Sequence, residues 1–225
     1  MSASQATAVK PPADEARAAA KRKAQRRAAF LRQMVQWHWI SAAICLIGML
    51  LFAVTGFTLN HAAAIQAQPK TEHRQAVLPQ PALQALAAAE AAKGALPEPV
   101  RAWAADALDA KIPAKAAVEW NDGEAYVALP RPGGDGWISI DTATGDAEAE
   151  FTSRGWIAYL NDLHKGRNSG PAWSLFIDVF AAGCVVFCVT GLVLLQMHSH
   201  ARKLTWPMVG LGLIVPLLLA LFLIH

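Results

Sequence analysis

Three stretches of this chain carry almost no polar side chains, and they set the reading of everything between them. Residues 40–59 hold no charge, residues 171–197 hold one, Asp178, and residues 206–224 hold none. A bilayer core about 30 Å thick is crossed by roughly 20 apolar residues of helix, so each stretch is long enough, the third only just. Trp37 and Trp39 precede the first run, and Trp173 and Trp206 open the other two, as aromatic anchors do at a membrane interface. The pattern predicts three transmembrane helices, at residues 34–60, 171–197 and 206–225.

Between the first two runs the pattern changes. Residues 62–78 are polar and read as a linker, while residues 79–93 and 97–110 are rich in Ala and Leu, open with prolines, and read as helices. Short alternating runs follow at residues 116–120, 125–129, 137–140 and 147–151. Turn residues separate them: Asn121-Asp122-Gly123, residues 130–136, and Thr144-Gly145-Asp146. One or two helices followed by an antiparallel meander make a small α+β unit, inserted within residues 61–170 of an α-helical membrane protein. Residues 1–29, with Pro11-Pro12 and many Ala, Lys and Arg, read as a disordered or loosely helical tail.

Charge orients the helices. Residues 1–38 hold eight Lys and Arg, from Lys10 to Arg32, against Asp14 and Glu15, and the loop at residues 198–205 has Arg202 and Lys203 with no acid. The positive-inside rule places both in the cytoplasm of a bacterial inner membrane, which makes residues 1–33 a basic cytoplasmic tail and residues 61–170 a periplasmic domain. Residues 60–170 hold ten basic and fourteen acidic residues, a net of −4, so the overall +3 averages two compartments. The basic tail points to a topogenic, lipid-facing role and not to nucleic acid. The first run reads as an uncleaved anchor despite Ala62-Ala63-Ala64, because a cleaved signal has a core of only about 7–15 residues behind a short leader.

Histidines mark the ends of the first two runs in a repeated pattern. The first is entered through Gln36-Trp37-His38 and left through Val54-Thr55-Gly56, with His61 following. The second is approached through Asp162-Leu163-His164 and left through Val189-Thr190-Gly191, with His198 following. Two antiparallel helices built this way bring His38 beside His198 at one face and His61 beside His164 at the other. Histidines on facing helices can grip haem iron axially, so these four are the candidate ligands of one or two b-type haems. The alternative is that each is an interfacial side chain at a helix end. His198 lies seven residues past Gly191, on the glycine's face, where a porphyrin could come close. His61 lies five past Gly56, about 140° round, where it could not unless the helix ends early. From His38 to His61 is about 35 Å of ideal helix, which sets two haems at opposite membrane faces.

The α+β stretch, with Ile140-Asp141-Thr142-Ala143-Thr144-Gly145 running from a strand into a hairpin, resembles the PepSY domain. Trp37-His38-Trp39, then Thr55-Gly56 through Asn60-His61, and Leu160-Asn161-Asp162-Leu163-His164-Lys165-Gly166-Arg167 look like PepSY-associated transmembrane proteins. The resemblance covers roughly residues 34–200. That family includes haem-containing inner-membrane reductases of ferric siderophores, PepSY modules elsewhere are linked with protease inhibition, and larger members carry a fourth membrane helix.

The resemblance therefore implies a haem electron-transfer protein that reduces ferric chelates or siderophores in iron uptake. No flavin, nicotinamide or phosphate-binding signature appears, so electrons would come from a quinol or a redox partner. The alternative is a haem-free accessory protein whose exported domain binds or regulates a peptide, protease or transporter. A homo-oligomer or a partner membrane subunit is compatible with either.

Other groups carry two readings each. Cys45, Cys184 and Cys188 all fall in apolar runs, where packing is favoured over a metal or redox pair. Asp178 is either hydrogen-bonded or paired near the outer interface, for example with Arg167, or proton-linked and close to a haem propionate. Lys165 and Arg167 could hold propionates or sit in headgroups. His73 reads as solvated, His200 as a competitor of His198 on the opposite face, and His225 as a substitute ligand.

Overall fold

The computed structural model describes residues 13–65 and 68–224; Lys10, Pro11-Pro12 and His225 lie outside the described residues. The chain divides into two compact units, Met1–Gly48 with Val179–His225, and Met49–Asp178. Among the described residues, three helices are long and apolar enough to cross a membrane: Arg17–Asn60, Gly170–His198 and Thr205–Leu223. This is a membrane protein with a small antiparallel sheet domain.

Helix α1 spans Ala13–Asn60, 48 residues. Residues 13–29, expected to be disordered or loosely helical, are thus part of one continuous helix. The reason is local: no Gly or Pro occurs between Ala13 and Ile47, Ala, Arg, Lys and Gln are strong helix formers, and Asp14 and Glu15 sit in the favourable first turn.

The second unit holds strand β1 (Lys70–Val77), helices α2 (Gln80–Ala91) and α3 (Glu98–Ala107), strands β2 (Glu119–Asn121), β3 (Glu124–Ala128), β4 (Gly134–Asp141) and β5 (Asp146–Ser153), and helix α4 (Gly155–Lys165). The strands form one sheet in the order β1-β5-β4-β3-β2, and each neighbouring pair is antiparallel. Side chains alternate across it. Ala125, Val127, Ile138, Ile140, Ala149 and Phe151 face a core completed by Leu86 of α2 and Val100 of α3. Each fully buried Leu, Ile or Val there contributes about 1.5–3 kcal/mol. Pro79 and Pro97 cap α2 and α3, as their fixed φ allows. Asp141 closes the β4–β5 turn by accepting from the backbone N–H of Thr144 (2.7 Å) and Ala143 (2.8 Å), which holds its carboxyl below the usual range.

Two elements escape a hydrophobic-pattern reading. The supposed linker at residues 62–78 contains β1, which pairs with β5 from Lys70↔Ser153 to Val77↔Asp146. Its inward position opposite the core is filled by Arg74, whose guanidinium lies 5.4 Å over the Phe151 ring and donates to Leu108 O (2.9 Å). An arginine stem covers apolar surface as well as an aliphatic residue does, but alternation cannot reveal it. Helix α4 is the second. It ends at Gly166 (φ 66°) in the left-handed conformation, with Gly166 N–H on Leu163 O and Arg167 N–H on Asp162 O.

Helix α5 (Gly170–His198) leads through a 3-10 turn at Ser199–Ala201 into α6 (Thr205–Leu223). Helix α5 begins in the second unit and ends in the first, as α1 does in reverse.

Candidate functional site

His38 on α1 rests against α5. Its Nδ1 lies 3.1 Å from Thr190 Oγ1 and 3.2 Å from Phe187 O, and its ring stacks on that of Phe187 at 4.6 Å and 16°. Thr190 gives its own hydroxyl proton back along the helix, to Val186 O (2.7 Å) and Phe187 O (3.0 Å). It therefore meets His38 as an acceptor, and His38 Nδ1 must carry the ring proton. The lone pair is left on Nε2.

His164 on α4 is seated the same way on α1. Its Nδ1 is 2.6 Å from Thr55 Oγ1, whose proton goes to Leu51 O (2.8 Å), and its ring lies 4.7 Å from that of Phe52. The repeated unit is thus longer than Val-Thr-Gly: Phe52-Ala53-Val54-Thr55-Gly56 and Phe187-Cys188-Val189-Thr190-Gly191 share Phe, Val, Thr and Gly. Phe gives the ring a face, Thr takes its proton, and Gly gives it room. A Cβ on Gly191 would lie 3.3 Å from His38 Cε1, and one on Gly56 would lie 3.7 Å from His164 Cε1. Each glycine lies against the facing imidazole, and Gly191 also lines the groove described below.

His61 and His198 follow the two motifs and share a different anchor. His61 Nδ1 reaches Phe57 O at 3.0 Å and His198 Nδ1 reaches Leu194 O at 2.8 Å, each four residues back. Phe57 O already accepts from the His61 backbone N–H at 3.2 Å, so the ring is a second donor on a carbonyl near the helix end. The contact also fixes the tautomer. His38, His61 and His198 each meet a carbonyl through Nδ1, so a neutral ring donates there and leaves Nε2 as the free nitrogen.

His38 and His198 line one groove of about 920 Å³. Its walls are apolar, from Phe187, Cys188, Gly191, Leu192, Leu194 and Leu195, and its polar groups are the two histidines, Arg202 and Thr205. For His61 and His164 the structure gives the two anchored rings alone. His61 is exposed and His164 half-buried.

The motif around His164 is almost fully employed in fastening α4. Asn161 Oδ1 accepts from Thr58 Oγ1 at 2.6 Å, so two side chains of α4 meet α1 within one turn. Asp162, 7% exposed, turns the other way and accepts the N–H of Gly133 at 2.8 Å, with Arg154 at 3.8 Å. Gly133 (φ 70°) has no room for a side chain, since its Cβ would fall 2.7 Å from the backbone of Tyr159. The β3–β4 connection is pressed onto α4 two residues ahead of His164.

The remaining groups are dispersed. Asp178 is exposed on α5 and meets neither Arg167 nor any other hydrogen-bonding or charged partner among the described residues. Lys165, Arg167 and His200 are exposed. His73 is on β1, 59% exposed and 3.5 Å from Glu150. The cysteines are free; Cys45 is buried where Gly183 leaves space for its sulfur, and Cys188 faces the groove. Thr55, Thr190 and the two phenylalanines went unassigned in the sequence, although their register in the repeat could have named them. Asp162 and Arg202 carried no such signal.

A family model described as PepSY_TM-like matches residues 29–225. No curated protein and no solved structure matches the chain.

Proposed function

The chain belongs to the PepSY_TM-like family, and from that premise we propose that it is a b-type haem electron-transfer protein of the bacterial inner membrane that serves the reduction of ferric chelates or siderophores. One observation carries the reading: His38 and His198 enter one apolar groove, each with Nδ1 fixed on an acceptor and Nε2 free. A haem-ligating histidine needs that tautomer, and its other nitrogen is usually held by a hydrogen bond. The volume and apolar walls of the groove suit a large flat ligand. A haem held there supplies one-electron transfer between a quinol or redox partner and a ferric chelate. The chain's own part is to fix both imidazoles, keep water from the groove with Leu192, Leu194 and Leu195, and hold the ring proton of His38 on Thr190. His61 and His164 form a second pair by the logic of the repeat. The positive charge of the tail and of the Arg202-Lys203 loop supports a cytoplasmic groove end and a periplasmic sheet domain.

Protein purified from haem-supplied cells should show a Soret band and, after dithionite, a sharp α-band. A colourless protein would overturn the haem reading in favour of an accessory role for the sheet domain. Alkaline phosphatase fused after residue 120 should be active and after residue 203 inactive; the reverse would overturn the orientation.

A further inference from the structure

The groove has one charged side chain besides its histidines. Arg202 sits at its rim, in the short connection between α5 and α6, and its backbone is tied into that connection: its N–H donates to Ser199 O at 2.9 Å and its carbonyl accepts from Thr205 N–H at 3.1 Å. The connection, residues 198–205, contains no acid, and no carboxylate pairs with the guanidinium among the described residues. Thr205 adds a hydroxyl on the same rim. Otherwise the walls are apolar. Along the chain the order is Thr190 and Gly191 against His38, then Leu194 and Leu195, then His198, then Arg202. The groove is therefore apolar through its middle and cationic at one end. An unpaired guanidinium beside an apolar wall is matched by a ligand with the opposite arrangement: a flat apolar body with carboxylates along one edge.

We propose that Arg202 is the carboxylate anchor of this groove, setting which edge of a bound porphyrin points out of it; this rests on the haem reading above. Guanidinium binds carboxylate through two parallel N–H donors, and such charge-assisted contacts are about twice as strong as neutral ones. Arg202 acts on position and affinity, while iron ligation stays with the histidines. Lys203 is exposed and does not line the groove, so it is the matched control.

The test compares haemin with its dimethyl ester, which keeps the ring and iron and removes both carboxylate charges. Full-length haem-free protein in non-ionic detergent is titrated with each and followed by the Soret shift. Wild type should bind haemin about tenfold more tightly than the ester. Arg202→Gln should erase that preference by weakening haemin alone, Arg202→Lys should restore part of it, and Lys203→Gln should leave it intact. The low-spin spectrum of the bound form should be the same in all four proteins. Equal binding of haemin and ester by wild type, or an equal loss of both in Arg202→Gln, overturns the assignment. If the haemin preference survives Arg202→Gln while added phosphatidylglycerol no longer co-purifies, Arg202 anchors a lipid phosphate instead, and the assignment is overturned. If neither porphyrin binds wild type, the haem reading itself has failed.

Discussion

The seats of His38 and His164 are built from the same five-residue unit and differ in what surrounds them. Each has a phenylalanine against the ring, a threonine oxygen on Nδ1 and a glycine beneath. His38 opens onto an apolar groove that it shares with His198 and Arg202. His164 sits in the last turn of α4, a short helix that Asp162 fastens to the β3–β4 connection and Asn161 fastens to α1. A repeat in the sequence thus specifies how an imidazole is held but not what it is held for. One seat is a wall of a cavity, and the other is the end of a structural tie to the sheet domain.

The sharpest way to break the comparison is to remove the rings. If the seats serve two haems, His38→Ala and His198→Ala should each remove about half of the haem, and the double variant no more than either alone. His61→Ala and His164→Ala should behave as a separate set, additive with the first, since non-additivity within a pair marks a shared site. His73→Ala should change nothing. Haem counted by pyridine haemochrome decides it. A His38→Ala protein with full haem and an unaltered low-spin spectrum would falsify the groove pairing, and a His164→Ala protein with full haem would leave α4 a purely structural helix.

Removing the acceptor under each ring separates the seats further. Groups that orient a ligating histidine typically matter about 10–100-fold in metal affinity. Thr55→Val strips His164 of the hydrogen-bond acceptor its Nδ1 has, so the full effect is expected there. Thr190→Val leaves His38 with Phe187 O at 3.2 Å, so a loss of only a few-fold is expected. Haem off-rates to apomyoglobin measure both. Equal losses would mean that the threonines are mere packing partners.

Asp162 tests whether the outer seat depends on the sheet domain. Asp162→Ala leaves the Gly133 N–H without its acceptor in a buried place, which costs about 1–3 kcal/mol. The melting transition of the protein should fall accordingly, Asp162→Asn should recover most of it by keeping an acceptor oxygen, and haem on the His38 side should be untouched. Loss of haem from both pairs together would show that the two seats do not report separately.

What could be read beforehand follows the same division. The three apolar runs, the prolines heading α2 and α3 and the turn residues of the meander all work through local backbone preferences, so periodicity and punctuation expose them. Strand β1 was hidden because Arg74, a charged residue, fills an inward position by its stem. The basic tail is compatible by composition with disorder or loose helix, and strong helix formers from residue 13 onward decide for the helix. Of the candidate site, Val-Thr-Gly was legible as a repeat. Its purpose was not, because the ring that each glycine accommodates comes from a helix distant in sequence. Arg202 looked like one more topogenic charge, and only the groove distinguishes it from Lys203.

The smallest effect offers the cleanest contrast of sign. Alanine in place of glycine inside a helix is worth about 0.5–1 kcal/mol in its favour, because glycine loses more backbone freedom on folding. Gly56 and Gly191 are both helical, so the gain applies to each. The opposing effect differs. At Gly56 the new methyl would stand 3.7 Å from His164 Cε1, an ordinary contact, so Gly56→Ala should be neutral or slightly stabilising and keep its haem. At Gly191 it would stand 3.3 Å from His38 Cε1, and the ring must move by a few tenths of an ångström. That ring is stacked on Phe187 at 4.6 Å and tied to Thr190, so it cannot yield without losing one contact or the other. Gly191→Ala should therefore offset its helical gain, broaden the Soret band of the groove haem and weaken its retention. A Gly191→Ala protein as stable and as fully loaded as Gly56→Ala would show that the His38 seat is looser than its geometry, and that the two seats are alike after all.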